Sequence, residues 1–271
     1  MKHLLYLFAL WGIMAACGQQ KEATQSADTQ DEKTAHNSQN QFRRFTYFFQ
    51  TDREQVKAFF DSEEWKQISE KALSDQIFDL KLYRKESDHF LLVDAAPEMN
   101  AESLLELLKR EDAFEALSET LKINGVSAEA FNQPLERIYK LEQQVAYSPA
   151  EGQLKSNIGP YKRFVWTLLL QEDPELMAEY RRVHGMGMAW PEITSNMKSI
   201  GVKDMEIYLH DTQAILIMDT RPDFDLEEVG PKWQKLPREE EWQAYVAKFQ
   251  RTDPESSIQE KWQDMKDLTT N

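Results

Sequence analysis

Two stretches of this chain match each other at a constant offset, and that repeat limits the possible folds more than any other feature. From Trp65 the chain reads WKQISEKALSDQIFDLKLYRKESDHFLLVDAAP, and from Trp190 it reads WPEITSNMKSIGVKDMEIYLHDTQAILIMDTRP. Laid ungapped, Trp65 meets Trp190, Ile68 meets Ile193, Tyr83 meets Tyr208, Leu91 meets Leu216, Asp94 meets Asp219 and Pro97 meets Pro222. Upstream, Gln50 to Glu54 fall on Gln171 to Glu175, and Phe59 falls on Tyr180; downstream, Phe114 falls on Trp242 after a small shift. Both copies must take one fold, and each must cover apolar surface that it cannot bury alone.

Periodicity gives each copy the same order of elements. An apolar strand (Phe45 to Phe49; Phe164 to Leu170) precedes a helix, which in the second copy starts with Asp173 as N-cap and Pro174 at the first helical position. Its stripe is Leu176, Met177, Tyr180, Val183 and His184, and Gly185 follows where a helix end favours glycine. A second helix carries Ile193, Met197 and Ile200 and stops at Gly201. Alternation over Met205 to Leu209 and an apolar run from Ala214 to Met218 predict a hairpin. A last helix holds Trp242, Tyr245, Val246 and Phe249, while Leu135 to Leu141 and Ile258 to Met265 are candidates for edge strands. Each copy is thus an α+β, ferredoxin-like unit with helices on one sheet face. The two copies, residues 42–142 and 161–268, are joined by a linker at 143–160 and can cover each other as a pseudo-dimer within one chain.

The formal net charge of −15 repels phosphate backbones and anionic lipid surfaces, which argues against nucleic acid and suits a neutral small molecule. One cysteine excludes an internal disulfide, and His3, His36, His89, His184 and His210 lack zinc-motif spacing, so no metal and no organic cofactor is expected. The cysteine has a telling position. A basic start, Met1 to His3, leads into an apolar run from Leu4 to Ala16 that is too short to span a bilayer. Met14-Ala15-Ala16-Cys17 resembles the lipobox of bacterial lipoproteins, which implies a signal peptide at 1–16 and acylation of Cys17. Residues 17–41, polar and without apolar period, then read as a disordered tether. The expected location is the cell envelope, on an outer-membrane lipid anchor facing the periplasm or the surface.

The stretch YRRVHGMGMAWPEI, Tyr180 to Ile193, with MEIYL and EEEWQAYVAKF after it, resembles the L-rhamnose mutarotase family over roughly residues 162 to 268. The shared features are a helix ending Tyr-x-x-x-His and a Trp-Pro-Glu a few residues on. Members are small dimeric α+β barrels, so the resemblance implies such a barrel built within one chain. It also implies His184 as the catalytic proton donor, Tyr180 as a sugar-binding tyrosine, and Trp242 as the one kept member of a tryptophan pair, with Glu241 at the other position. A second sugar-contacting tyrosine falls on Met205.

The residue chemistry agrees. Tyr180 and His184 share one helix face. Anomer interconversion needs a proton delivered to the ring oxygen and one removed from the anomeric hydroxyl, and an imidazole can do either. A helix C-terminus would favour its protonated form. Trp190 and Trp242 offer faces for sugar C–H surfaces. Each residue also has a plain alternative: a histidine is a common C-terminal residue of helices, and tryptophans at this spacing are ordinary core. The first copy has FDSEE between Phe59 and Trp65, four residues shorter than RRVHGMGMA, and no histidine, so it is expected to be a structural partner.

The expected function is therefore interconversion of the anomers of L-rhamnose or a related 6-deoxyhexose. A non-catalytic carbohydrate-binding or assembly lipoprotein is the alternative, and barrels of this type also host monooxygenases.

Overall fold

The computed structural model describes residues 40–110, 133–252 and 261–269. Cys17, the lipobox, the tether up to residue 39 and Phe114 lie outside the described residues.

Residues from Gln41 onward form one compact unit. In the first half β1 (Gln41–Gln50) is followed by α1 (Glu54–Phe60), α2 (Glu63–Lys71), the hairpin β2 (Ile77–Lys85) and β3 (Asp88–Ala95), α3 (Ala101–Arg110) and β4 (Glu136–Lys140). After β5 (Gln153–Ser156) the second half repeats the order: β6 (Lys162–Leu169), α4 (Pro174–His184), α5 (Pro191–Ile200), then β7 (Val202–His210) and β8 (Gln213–Thr220). It continues with α6 (Leu226–Trp233), α7 (Glu239–Ala247), β9 (Gln263–Asp264) and β10 (Lys266–Asp267).

The sequence signals for these elements are visible in the structure. Asp173 caps α4, its carboxylate accepting from the Glu175 and Leu176 amides at 2.9 Å, with Pro174 just inside. Gly201 ends α5 at φ 106°, a conformation that a side chain resists. Gly185 does not take that role. It is extended, at φ −63° and ψ 166°, because α4 runs into a loop and not into a tight reversal. The stretch read as a linker is also partly structured, since β5 lies within it and pairs with β1. Helix α6, with Gly230 and Pro231 inside, was not visible to pattern reading, because both residues argue against a helix.

The strands make two antiparallel five-stranded sheets, β10-β2-β3-β1-β5 and β4-β7-β8-β6-β9. The repeat is legible in the details. Both hairpins slip register at matching places, Ile77/Asp79 in one and Val202/Asp204 in the other. The edges are exchanged between the halves: β4, from the first half of the chain, borders β7, while β10, from the end of the second, borders β2. Of the edge strand expected over Ile258 to Met265, β9 is present and borders β6, residues 258–260 lie outside the described residues, and β10 follows beyond Met265 in the other sheet.

Strand alternation sorts side chains into three cores. Phe45, Leu91 and Val93 pack with Trp65 and Leu104 on the helix side of the first sheet. Ile207, Leu216 and Met218 pack with Tyr180 and Phe249 on the helix side of the second. The alternate residues of both sheets, among them Phe48, Phe90, Leu92, Val165, Tyr208 and Ile217, form one shared cluster. Beside it lies a buried ionic network. The Glu206 carboxylate takes Arg44 at 2.8 Å, Arg137 at 2.7 Å and Lys155 at 2.6 Å, and accepts from the Tyr208 hydroxyl at 3.1 Å. Arg44 also forks onto Asp94, as Arg163 does onto Asp219 at the equivalent place in the repeat.

Candidate active site

The second half encloses a cavity of about 160 Å³ between its sheet and its helices. Its origin is the loop that distinguishes the two copies. In the first half only Asp61 and Ser62 separate α1 from α2, and Trp65 is driven into the core, edge-on to Phe60 at 5.1 Å. In the second half six residues, Gly185 to Trp190, separate α4 from α5, and Gly187 turns at φ 75°. Trp190 accordingly stands at the wall of a space and does not fill it, its ring stacked 5.9 Å from Tyr245.

Every residue singled out from the sequence for the sugar or its chemistry lines this cavity: His184, Tyr180, Trp190, Trp242 and Met205. They come from α4, the loop, α7 and β7, so three-dimensional folding was needed to unite them. Glu241, at the position of the missing tryptophan, faces outward and pairs with Arg238 at 3.1 Å.

His184 ends α4 with a relative exposure of 7%. Its Nδ1 lies 2.9 Å from the Tyr180 carbonyl oxygen. A carbonyl can only accept, so Nδ1 carries the hydrogen and the neutral ring keeps its lone pair on Nε2. Tyr180 packs on the ring at 4.2 Å, Trp242 at 5.7 Å and Tyr139 at 6.1 Å. The expectation that the helix terminus would favour an imidazolium is wrong here. Burial among these rings outweighs the Tyr180 carbonyl and lowers the pKa to about 4. The group is a neutral base at pH 7.

Three residues that sequence reading missed also reach the cavity. Tyr139 comes from β4, in the half expected to be only structural, and burial holds its phenol well above the usual tyrosine range. Among the described residues its buried hydroxyl makes no well-formed hydrogen bond, although Thr194 is near enough to ease its ionisation. Gln250, just past α7, likewise presents a buried Oε1 without a partner among the described residues. Glu239, first residue of α7, is 2% exposed, and its carboxyl is raised by desolvation. Only the strand exchange could have flagged Tyr139, and nothing local in the sequence shows which chain end borders which sheet. Three further tryptophans, Trp166, Trp233 and Trp262, complete a largely aromatic wall, with the Trp166 indole N–H donating to Asp264. Among the described residues no group of three or more His, Cys, Asp or Glu side chains is placed to hold a metal ion.

Comparison with known proteins places the resemblance in the same half. The family model for L-rhamnose mutarotase matches residues 163–268. An L-fucose mutarotase of Xanthomonas campestris pv. campestris is 28% identical over 103 residues, 38% of this chain and 82% of that one. A UPF0734 protein of Dictyostelium discoideum is 35% identical over 109 residues, 39% of this chain and 86% of that one. Among solved structures, a proposed monooxygenase of Fusobacterium nucleatum aligns with a TM-score of 0.45 and 7% identity over 84% of this chain and 93% of that one. An anthrone oxidase-like protein aligns at 0.43 and 12% identity, covering 80% and 90%.

Proposed function

The chain belongs, through residues 163–268, to the L-rhamnose mutarotase family, and from that premise we propose that it interconverts the anomers of a 6-deoxyhexose, L-rhamnose or a relative such as L-fucose. The observation that carries the reading is His184: a buried, neutral imidazole with one nitrogen fixed on a backbone carbonyl and the other left as a base in an aromatic cavity. Nε2 takes the proton of the anomeric hydroxyl, the C1–O5 bond opens to the aldehyde, and reclosure on the other face returns the proton. Aromatic faces of Trp190 and Trp242 hold the sugar's C–H surfaces, and Ile193, Met197 and Met205 give a C6 methyl an apolar seat. Tyr180 and Tyr139 supply hydroxyls for its oxygens.

The scaffold we propose for this site is a dimeric α+β barrel built within one chain, the two ferredoxin-like halves acting as pseudo-dimer partners. The shared cluster of both sheets and the exchanged edge strands support that reading. Anchoring through an acylated Cys17 belongs to the same proposal: labelled palmitate should enter the wild type and not Cys17→Ser, and equal labelling of both would remove the anchor.

The decisive measurement is NMR saturation transfer between the anomers of L-rhamnose and of L-fucose. His184→Gln should retain sugar affinity while exchange drops about 10²–10⁴-fold, the usual worth of one acid–base group. Unchanged exchange in that variant would remove the mechanism. Binding without exchange in the wild type would favour a sugar-binding protein.

A further inference from the structure

Ring opening moves two protons, and His184 accounts for one. We propose that Glu239 is the second proton-transfer group of this cavity, the acid that protonates the ring oxygen while His184 deprotonates the anomeric hydroxyl. The inference rests on the mutarotase reading above and deepens it.

Glu239 is placed by three helices. It opens α7, and its Oε1 accepts from Asn196 Nδ2 on α5 at 3.0 Å and from Trp233 Nε1 on α6 at 3.0 Å. Asn196 Nδ2 also donates to the Pro237 carbonyl at 2.8 Å, which fixes which end of that amide faces the carboxyl. Among the described residues both donors take Oε1, so Oε2 is left for a ligand. One helical turn on, Trp242 projects from α7 to within 5.7 Å of the His184 ring, which sets Glu239 and His184 around one cavity of about 160 Å³.

The charge environment is the second argument. Charged neighbours on the packed elements are otherwise engaged. Arg238 pairs with Glu192 of α5 and Glu241 of α7, and Lys232 of α6 pairs with Glu228. Glu240 and Glu241 follow on α7, and across the cavity stand His184, Tyr139, Tyr180 and Asp264. No cation faces Glu239 among the described residues. Desolvation raises the Glu239 carboxyl above the usual glutamate range and outweighs the hydrogen bonds from Asn196 and Trp233, which favour the ionised form. His184 is pushed the other way, toward a neutral base. Opposed shifts on two groups lining one cavity suit them to act as acid and base of one step.

The step balances. His184 Nε2 takes the hydrogen from O1 as C1=O forms. The C1–O5 pair goes to O5, which takes the Glu239 proton, leaving an imidazolium and a carboxylate beside the open aldehyde. After rotation about C1–C2, O5 attacks the other face of C1 and returns its proton to Glu239, and His184 returns its proton to O1. Nothing is consumed.

Glu239→Gln tests this, because its amide oxygen can keep both hydrogen bonds and only the transferable proton is lost. With L-rhamnose and L-fucose as probes, exchange should fall about 100-fold or more at near-unchanged affinity. The wild-type rate should decline as pH rises through the raised Glu239 ionisation, and the variant should lack that decline. In infrared titrations, a protonated carboxyl band should persist to higher pH in the wild type than an ordinary glutamate allows, and be absent from the variant. If the variant fails to fold, the wild-type band should shift on adding sugar. Full exchange in Glu239→Gln beside a dead His184→Gln would overturn this inference alone, and a carboxyl band lost already in the ordinary glutamate range would overturn it too. No exchange in the wild type would remove both readings.

Discussion

A histidine's surroundings decide which half of its chemistry is usable. His184 is neutral because Tyr180, Trp242 and Tyr139 exclude water from it, and its tautomer follows from the Tyr180 carbonyl. Its role as base should therefore persist below the usual imidazole range, with exchange lost only as pH falls through about 4. The first half holds a second such ring, His89, fully buried against Phe49 at 4.8 Å, its Nδ1 on the Ser87 carbonyl and its pKa lowered to about 4. Both histidines bind a proton more readily unfolded than folded, so they destabilise the protein as pH drops from the unfolded value near 6.5 toward 4. By pH 4 each could cost on the order of 3 kcal/mol relative to pH 7. Phenylalanine fits the aromatic surroundings of His89. His89→Phe should thus lose less stability than wild type between pH 7 and pH 4.5 in urea titrations, and an identical loss would show that His89 carries none of the acid sensitivity.

Among the elements, β4 has the most unexpected role. It precedes the repeat that holds the cavity, yet it borders β7 and sets Tyr139 edge-on to His184. The buried hydroxyl of Tyr139 lacks a well-formed partner among the described residues, and such a group costs stability unless a ligand satisfies it. Tyr139→Phe should therefore fold at least as stably as wild type while sugar affinity falls by about 0.5–1.5 kcal/mol; a calorimetric titration showing equal affinity would detach Tyr139 from the ligand. Most helices and strands of the repeat were legible in the sequence because their signals are local: Asp173-Pro174 for a start, Gly201 for an end, alternation for the hairpin. The cavity was legible as residue types, and the longer loop after His184 told the copies apart. Three things were not. Helix α6 forms despite Gly230 and Pro231, Gly185 is extended, and the edge strands change partners, and each of these is decided by packing between segments distant in sequence.

On the scale of the molecule, the two sheets are joined by charge as well as by apolar contact. Glu206 and Arg44 are each 1% exposed, and the carboxylate pairs with Arg44, Arg137 and Lys155, while Asp94 and Asp204 add counter-charge to Arg44 and Lys155. Removing one member leaves the others buried and less compensated, so Glu206→Gln should cost about 3–5 kcal/mol. The loss should appear as a lower midpoint for one cooperative transition monitored in both halves; loss confined to the second half would mean that the sheets unfold independently. The exchange of edges has a further meaning for biosynthesis. The strand bordering β2 consists of Lys266 and Asp267, which are translated only after the whole second sheet's hairpin, and β4 waits for β7 in the same way. A nascent chain arrested before Gln263 should therefore show its first half still sensitive to protease. The first half is translated early but completed late, and its maturation is timed by a segment made after the second hairpin.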